Sequence, residues 1–457
     1  MINIQNAKYK YKKLLCMAND FKLLALFGMR IGPTQLIRLF REFPWLVKGL
    51  GIHTALDYTK GSFPYSSATV SFIFQYLVYV LETYVNNPDQ IVWVEELLTP
   101  EIPLAMGFVP FMPESIGLVL PLVKNDICES YIDVSENEGY PSDMCSFIKT
   151  SLGLVLKDGL PKPRLILTTN SPCESASSGY IPIEEKYKVP VFRMDQPYEF
   201  NDASIGYYTQ ALWKMIRFME AETGVKMDFD RLRKICENRN QASESIIEFL
   251  ELNRAKPSPA GTITHTLSIL GHSLMPGSKA ATDLAVAYQE ESKRRYDKQL
   301  GPVKKEKIRY VMWGVPFGID VGYYQWLEEE YCAVMVAEMY SSRNYSIVDT
   351  STPDTMLSGL AADMMQGPMA RHTKGPATNY YEDLIRKVKD YDADMVILGD
   401  HVGCKKSISL KGIVRDVLKK NNTPCLTIQF DVCDTRITAP EQIRHQTTQF
   451  MEVIMKV

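Results

Sequence analysis

The chain has 457 residues, with 51 Lys and Arg against 54 Asp and Glu and a formal net charge of −3. At roughly 100–200 residues per domain this is two to four domains, and the 46% hydrophobic, 23% charged make-up excludes disorder, collagen and coiled coil. The near-neutral balance excludes an electrostatic footprint for nucleic acid or an anionic membrane.

Residues 1–88 read as an N-terminal helical region, with helices over Phe21–Arg41, broken at Gly32-Pro33, and Ser71–Tyr84. The start is basic but lacks the apolar core and small-residue cleavage site of a signal peptide. The most apolar stretches, Ser71–Leu81 and Ile102–Val123, are too short or too broken by Glu114, Pro and Gly to span a membrane.

Residues 89–204 read as a first α/β domain. Strands are expected at Ile91–Val94, Phe108–Phe111, Arg164–Thr169 and Val189–Met194, with a short helix opening at Thr99-Pro100-Glu101. A helical connector, 205–303, carries helices over Ile205–Glu222, closed by Gly224, then Phe229–Asn253 and Ala280–Leu300. A second α/β domain, 304–457, has strands at Ile308–Trp313, Cys332–Ala337, Met395–Leu398 and Leu426–Phe430. Helices are expected at Gly322–Glu330 and Gln442–Lys456, and 341–380 reads as loop.

The fold class is therefore α/β: two related parallel-sheet domains of Rossmann or flavodoxin type. An internal repeat supports their kinship. RLILTTNSPC ending at Cys173 leads to VPVFRMD ending at Asp195, and MVILGDHVGC ending at Cys404 leads to CLTIQFD ending at Asp431. Each copy runs strand, polar turn, Cys, helix, Pro, strand, Asp. Each offers a cysteine beyond a strand's carboxyl end, the edge at which open parallel sheets bind ligands.

The nine cysteines are odd in number, widely spaced and without a CxxC pair. This argues for a reducing compartment rather than a disulfide framework or a zinc ribbon. Ser142 or Asp143 is the expected cap that places Cys145 in a first helical turn; Cys173 and Cys404 also precede helices, with Ser407 a possible cap for the latter. Helix N-termini lower a thiol's pKa, and thiolates so held are good ligands for iron–sulfur clusters. Three cysteines leave the fourth corner of a cubane open. Cys16, Cys236, Cys332 and Cys425 read as packing residues and Cys433 as ambiguous. The alternative for each cysteine is a small core residue.

Several segments together resemble the 2-hydroxyacyl-CoA dehydratases of the 2-hydroxyglutaryl-CoA dehydratase D-component type, a group that includes the ATP-dependent benzoyl-CoA reductases. They are TPEIPLAMGFVPF (99–111), YPSDMCSF (140–147), LTTNSPCESASSGY with VPVFRMDQPYE (167–199), LRKICENRNQASESIIEFLELNRAKPSP (232–259), WGVPFG (313–318), and ADMVILGDHVGCK with CLTIQFDVCDTRITAPEQI (393–443). The resemblance implies a heterodimer of homologous subunits and a 4Fe–4S cluster on Cys145, Cys173 and Cys404 with one open position. ATP enters only through a separate iron–sulfur activator that injects one electron. The acyl-CoA thioester becomes a ketyl radical anion, water is eliminated, and the electron returns with formation of the enoyl-CoA.

By the same resemblance Glu101 is a candidate for proton transfer or hydroxyl contact, the alternative being a surface residue complementing a helix dipole. His401 is a candidate for a hydrogen bond to substrate or cluster, the alternative being a solvated loop histidine. Ser171, Ser175 and Trp313–Pro316 are candidates to line the pocket. Asp195 and Asp431 are expected to cap turns, and Arg371-His372-Thr373-Lys374 to meet CoA phosphates or to be solvated surface. The expected function is thus a lyase subunit, a radical 2-hydroxyacyl-CoA dehydratase of an anaerobic cytoplasm. The alternatives are an acyl-CoA reductase subunit, a non-catalytic electron-transfer subunit, or a metal-free α/β binding protein.

Overall fold

The computed structural model describes residues 63–457 apart from 124–125, 262–263, 321 and 343. The expected Phe21–Arg41 helix and Cys16 lie outside the described residues. Helix α1, Phe63–Asn86, covers the expected Ser71–Tyr84 helix.

Eight short apolar runs form two sheets, each four-stranded and wholly parallel. β1 (Ile91–Val94), β2 (Val109–Phe111), β3 (Ile166–Thr169) and β4 (Val191–Met194) lie in the order β2-β1-β3-β4. β5 (Ile308–Gly314), β6 (Ala333–Glu338), β7 (Met395–His401) and β8 (Cys425–Phe430) lie in the order β6-β5-β7-β8. The winding is the same in both, so the sequence repeat is a structural one: its copies are the β3–β4 and β7–β8 units. In this order the winding reverses between β1 and β3 and between β5 and β7, the crevice where such sheets bind ligands.

Parallel strands need crossovers, and helices supply them. In the first half these are α2 (Glu101–Ala105), α3 (Glu114–Val123), α4 (Glu129–Asn137), α5 (Ser146–Leu156) and α6 (Glu174–Tyr187). The connector is α7 (Asp202–Thr223), α8 (Phe229–Leu252) and α9 (Lys279–Asp297), with two single turns between the last two. The second half has α10 (Gly322–Tyr331), α11 (Pro353–Gln366), α12 (Ala377–Asp390), α13 (Lys405–Lys420) and α14 (Pro440–Phe450).

Helix α7 shows how the sequence sets a boundary. The Asn201 carboxamide accepts from the Ser204 amide at one end, and Gly224 takes φ +74° at the other. Tyr208, Leu212, Met215, Ile216 and Met219 bury one stripe, as their spacing predicts. The 341–380 segment departs from its loop reading. Thr352 and Thr355 form a reciprocal cap around Pro353, and Met356, Leu357, Leu360, Ala361, Met364 and Met365 bury one face of α11. Gly, Pro and Ser in this stretch mask that periodicity.

The halves exchange segments. In each, the chain leaving the outer strand crosses to the other sheet. After β2, Cys128 and Ile132 of the α4 region enter a core built on Ile308, Tyr310 and Met312 of β5. After β6, Val348 and α11 enter the core on Val92 and Val94 of β1. Trp213 of α7 donates its indole N–H to Asp354 of α11 at 2.8 Å. Burying an apolar helix face is worth a few kcal/mol per large side chain, so the exchange ties the two halves together.

Candidate functional site

The three cysteines are all helix N-caps. Cys173 follows β3 and opens α6; Cys404 follows β7 and opens α13; Cys145 opens α5, whose far end leads into β3. The caps therefore differ from those expected: Cys145 itself, rather than Ser142 or Asp143, and Cys404 rather than Ser407. Ser407 lies inside α13 and donates to the Asp400 carboxylate at 3.3 Å.

These loops come from different halves and touch. A Cβ on Gly403 would lie 2.6 Å from the Cα of Cys145, so only glycine permits this approach. Lys405 donates to the Asp143 carbonyl at 3.0 Å and pairs with its carboxylate, bracing one loop on the other. The thiols lie within one another's fields: Cys145 is acted on by Cys173 and Cys404, and Cys173 by Cys404. All three are half-buried.

The expected low thiol pKa does not hold for the bare chain. Burial pushes Cys173 up to about 12 and raises Cys145 and Cys404 as well, while the facing amides of Phe147, Ala176 and Ser407 pull the other way. Desolvation outweighs the helix terminus. Among the described residues no group of three or more His, Cys, Asp or Glu side chains stands where one metal ion would be held. A cubane makes a different demand, because each cysteine binds its own iron and the ligand sulfurs stand further apart than around a single ion. Half-buried thiols from both halves, each facing helix N-terminal amides that favour its anion, fit that donor set.

His401 ends β7 instead of lying in a loop. It is 1% exposed, 3.7 Å from the Asp431 carboxylate, and neither ring nitrogen has a hydrogen-bond partner. Burial holds its pKa below the usual value against the pull of Asp431. The same Cβ on Gly403 would lie 2.9 Å from His401 Nε2, which puts the ring beside the cysteine loops. Asp431 caps its turn as expected, accepting from the Cys433 and Asp434 amides at 2.9 and 2.8 Å. Asp195 binds Asn170 and Tyr207. Ser171 is fully buried with an unpaired hydroxyl, and Ser175 is buried at the start of α6.

Glu101 is not the surface residue of the alternative reading. It is 3% exposed, accepts from the Thr99 hydroxyl at 2.5 Å, and pairs with Arg239 of α8 at 2.8 Å. Arg239 also pairs with Asp363 of α11 and bonds His272 at 3.0 Å. The network joins first half, connector and second half. Trp313 is fully buried in β5 and lines no loop. In the basic tetrad, Arg371 and His372 are committed to Asp383, at 2.6 and 2.9 Å, which leaves no basic cluster for phosphate.

A second group escaped the sequence reading. Glu95 and Glu96 follow β1 directly and Glu114 follows β2. Glu95 accepts from the Thr169 amide at 2.7 Å, yet its other oxygen is buried without a partner. The buried Tyr180 hydroxyl faces Glu114. Burial pushes Glu96 up to about 7 and Glu114 up to about 8, so these carboxyls hold protons near neutrality. Burial, then Glu96 and the Cys404 thiol, raise the Tyr340 phenol, so Tyr340 lies within the field of both groups. The sequence shows adjacent glutamates where an apolar strand ends but not their burial.

None of the described helices is long and apolar enough to cross a membrane. The profile of the family described as 2-hydroxyglutaryl-CoA dehydratase, D-component, matches residues 98–454. A benzoyl-CoA reductase subunit of Thauera aromatica is 22% identical over 344 residues, covering 70% of this chain and 78% of the relative. The alpha subunit of lactoyl-CoA dehydratase of Anaerotignum propionicum is 18% identical over 405 residues, covering 80% and 91%. The alpha subunit of (R)-2-hydroxyglutaryl-CoA dehydratase of Acidaminococcus fermentans is 31% identical over 104 residues, 22% of each chain. The profile match takes in every strand from β2 to β8 and all three cysteine loops, and the chain belongs to the 2-hydroxyglutaryl-CoA dehydratase D-component family.

Proposed function

We propose that this chain is the iron–sulfur subunit of a 2-hydroxyacyl-CoA dehydratase, a lyase that works with a homologous second subunit and a separate ATP-hydrolysing iron–sulfur activator. Cys145, Cys173 and Cys404 would hold a 4Fe–4S cluster with one open position. The observation that carries the reading is the meeting of these three N-cap thiols from both halves at the strands' carboxyl edges. When bound, such a cluster supplies one-electron chemistry and a Lewis-acidic corner.

The chain's own residues do the rest. The amides at the starts of α5, α6 and α13 favour thiolate over thiol. His401, buried and without a hydrogen bond of its own, serves as a hydrogen-bond partner toward cluster or substrate. Ser171, two residues before Cys173, offers a buried hydroxyl without a partner. The Glu96 and Glu114 carboxyls, poised to gain or lose a proton near neutrality, move the substrate's protons, with Glu95, also raised by burial, beside them. Glu101 acts by position, because its carboxylate is committed to Arg239. An anaerobic cytoplasm suits such a cluster.

The second reading is a subunit of an ATP-dependent acyl-CoA reductase, favoured by the alignment with the Thauera aromatica benzoyl-CoA reductase over 70% of this chain. A subunit that only carries electrons is the remaining form of this reading. Product analysis separates them. With activator, ATP and reductant, 2-hydroxyacyl-CoA is expected to give enoyl-CoA with no net electron uptake. A reduced acyl group and stoichiometric electron consumption would replace the dehydratase reading by the reductase one. No turnover of either substrate by the assembled complex would leave electron transfer alone.

A further inference from the structure

Two thiols outside the proposed ligand set also meet. Cys128 caps the N-terminus of α4, and Cys433 lies just past β8. Both are fully buried in the core of the second sheet. The Cys433 thiol faces that of Cys128 and donates to the Gly117 carbonyl at 3.5 Å. Polar contacts on one side hold the two segments in register: Thr435 donates to Glu129 at 2.5 Å, and Arg436 to Asp133 at 2.8 Å. Cys128 belongs to the first half and enters the core of the second with the exchanged segment. A bond between these sulfurs would therefore fasten the exchange covalently. The pair also lies directly behind the site, since Gly117 packs on Phe147, two residues beyond Cys145.

We propose that Cys128 and Cys433 form an oxidisable dithiol, a modification site whose disulfide locks the α4 segment onto the second half. The oxidant class is a low-molecular-weight disulfide. One protein thiolate attacks it, releasing one small thiol and leaving a mixed disulfide; the second protein thiolate attacks that sulfur and releases the other. Two electrons and two protons pass from the protein to the reagent, which leaves as two thiols. Both sulfurs are buried, so the exchange waits on local opening and runs over hours. The alternative is that both cysteines merely fill space.

The test uses the full chain in two forms, iron-free and anaerobically iron-loaded, incubated for hours with glutathione disulfide. The protein is then denatured, free thiols are alkylated, and digests are mapped without reductant. The expected result is a peptide pair joined through Cys128 and Cys433 in both forms. Non-reducing electrophoresis should show a faster band, lost on reduction and absent from Cys433→Ser. Recovery of Cys128 and Cys433 as free thiols or as separate glutathione adducts overturns the proposal. The outcome is independent of the cluster reading: a chain that binds no iron but gives the linked peptide sinks that reading alone, and an iron-loaded chain without the link sinks this one alone.

Discussion

Gly403 and Cys145 sit so close that a methyl group on the glycine would lie 2.6 Å from the cysteine Cα. One residue precedes a proposed ligand in the second half; the other is a proposed ligand in the first. Their contact sets the spacing of the thiols. Gly403→Ala must push the two loops apart, with an overpacking cost of about 1–3 kcal/mol. The expected variant keeps its far-ultraviolet circular dichroism, melts a few degrees lower and loses most of its iron. Full iron content in a folded Gly403→Ala chain would show that the spacing of these loops does not matter.

Arg239 is the strut of the site. It is 1% exposed, and it carries the counter-charge for Glu101 and Asp363 from different halves. Arg239→Met leaves buried carboxylates without their cation, a loss of about 3–5 kcal/mol. Urea unfolding should report that loss. The triple change Arg239→Met, Glu101→Gln, Asp363→Asn should recover part of it, because the uncompensated charges go too. Additive losses would mean that the three residues are not one network.

Glu114 gives a pH signature. Its folded pKa is raised to about 8 by burial, against 4.5 for the exposed acid. Between those values the unfolded chain has released the proton and the folded chain keeps it, so stability falls as pH rises from about 4.5 to 8. Glu114→Gln removes that slope. Near pH 8 the variant should exceed the parent in stability by about a few kcal/mol, a gap closing toward pH 4.5. Turnover by the assembled enzyme should fall at least about 100-fold if this carboxyl moves protons. Unchanged turnover would remove Glu114 from the chemistry and leave its burial unexplained.

His401 offers a narrower test. Its ring is buried with, among the described residues, only the Asp431 carboxylate at 3.7 Å for a charge partner, so its role is read through the bound group and not through stability. His401→Phe is expected to keep the fold and the iron while shifting the cluster's reduction potential and visible spectrum. A variant identical to the parent in both would confine His401 to packing.

The repeat was the most legible feature of the chain. The strand–Cys–helix–Pro–strand–Asp pattern is visible as text because β3–α6–β4 and β7–α13–β8 share winding, cap and turn. The connector helices were legible too, since α7 and α8 begin at side-chain caps, Asn201 and Asp228. The exchange of α4 and α11 was not, because periodicity shows that a face is buried and not against what. Helix-terminus logic placed the three cysteines at helix starts but misjudged their protonation, as burial is a tertiary property. It passed over Glu95, Glu96 and Glu114 for the same reason: a glutamate at a strand end looks alike in sequence whether the cleft above it is wet or dry.

Whether three thiols from two exchanged halves serve one cluster is read most directly from the iron and acid-labile sulfide each chain retains. The samples are strictly anaerobic preparations of the parent and of Cys145→Ala, Cys173→Ala, Cys404→Ala and Cys236→Ala. About four iron and four sulfide are expected in the parent and in Cys236→Ala, with the content lost in each of the other three. Equal content in all four variants would contradict a shared cluster on these sulfurs.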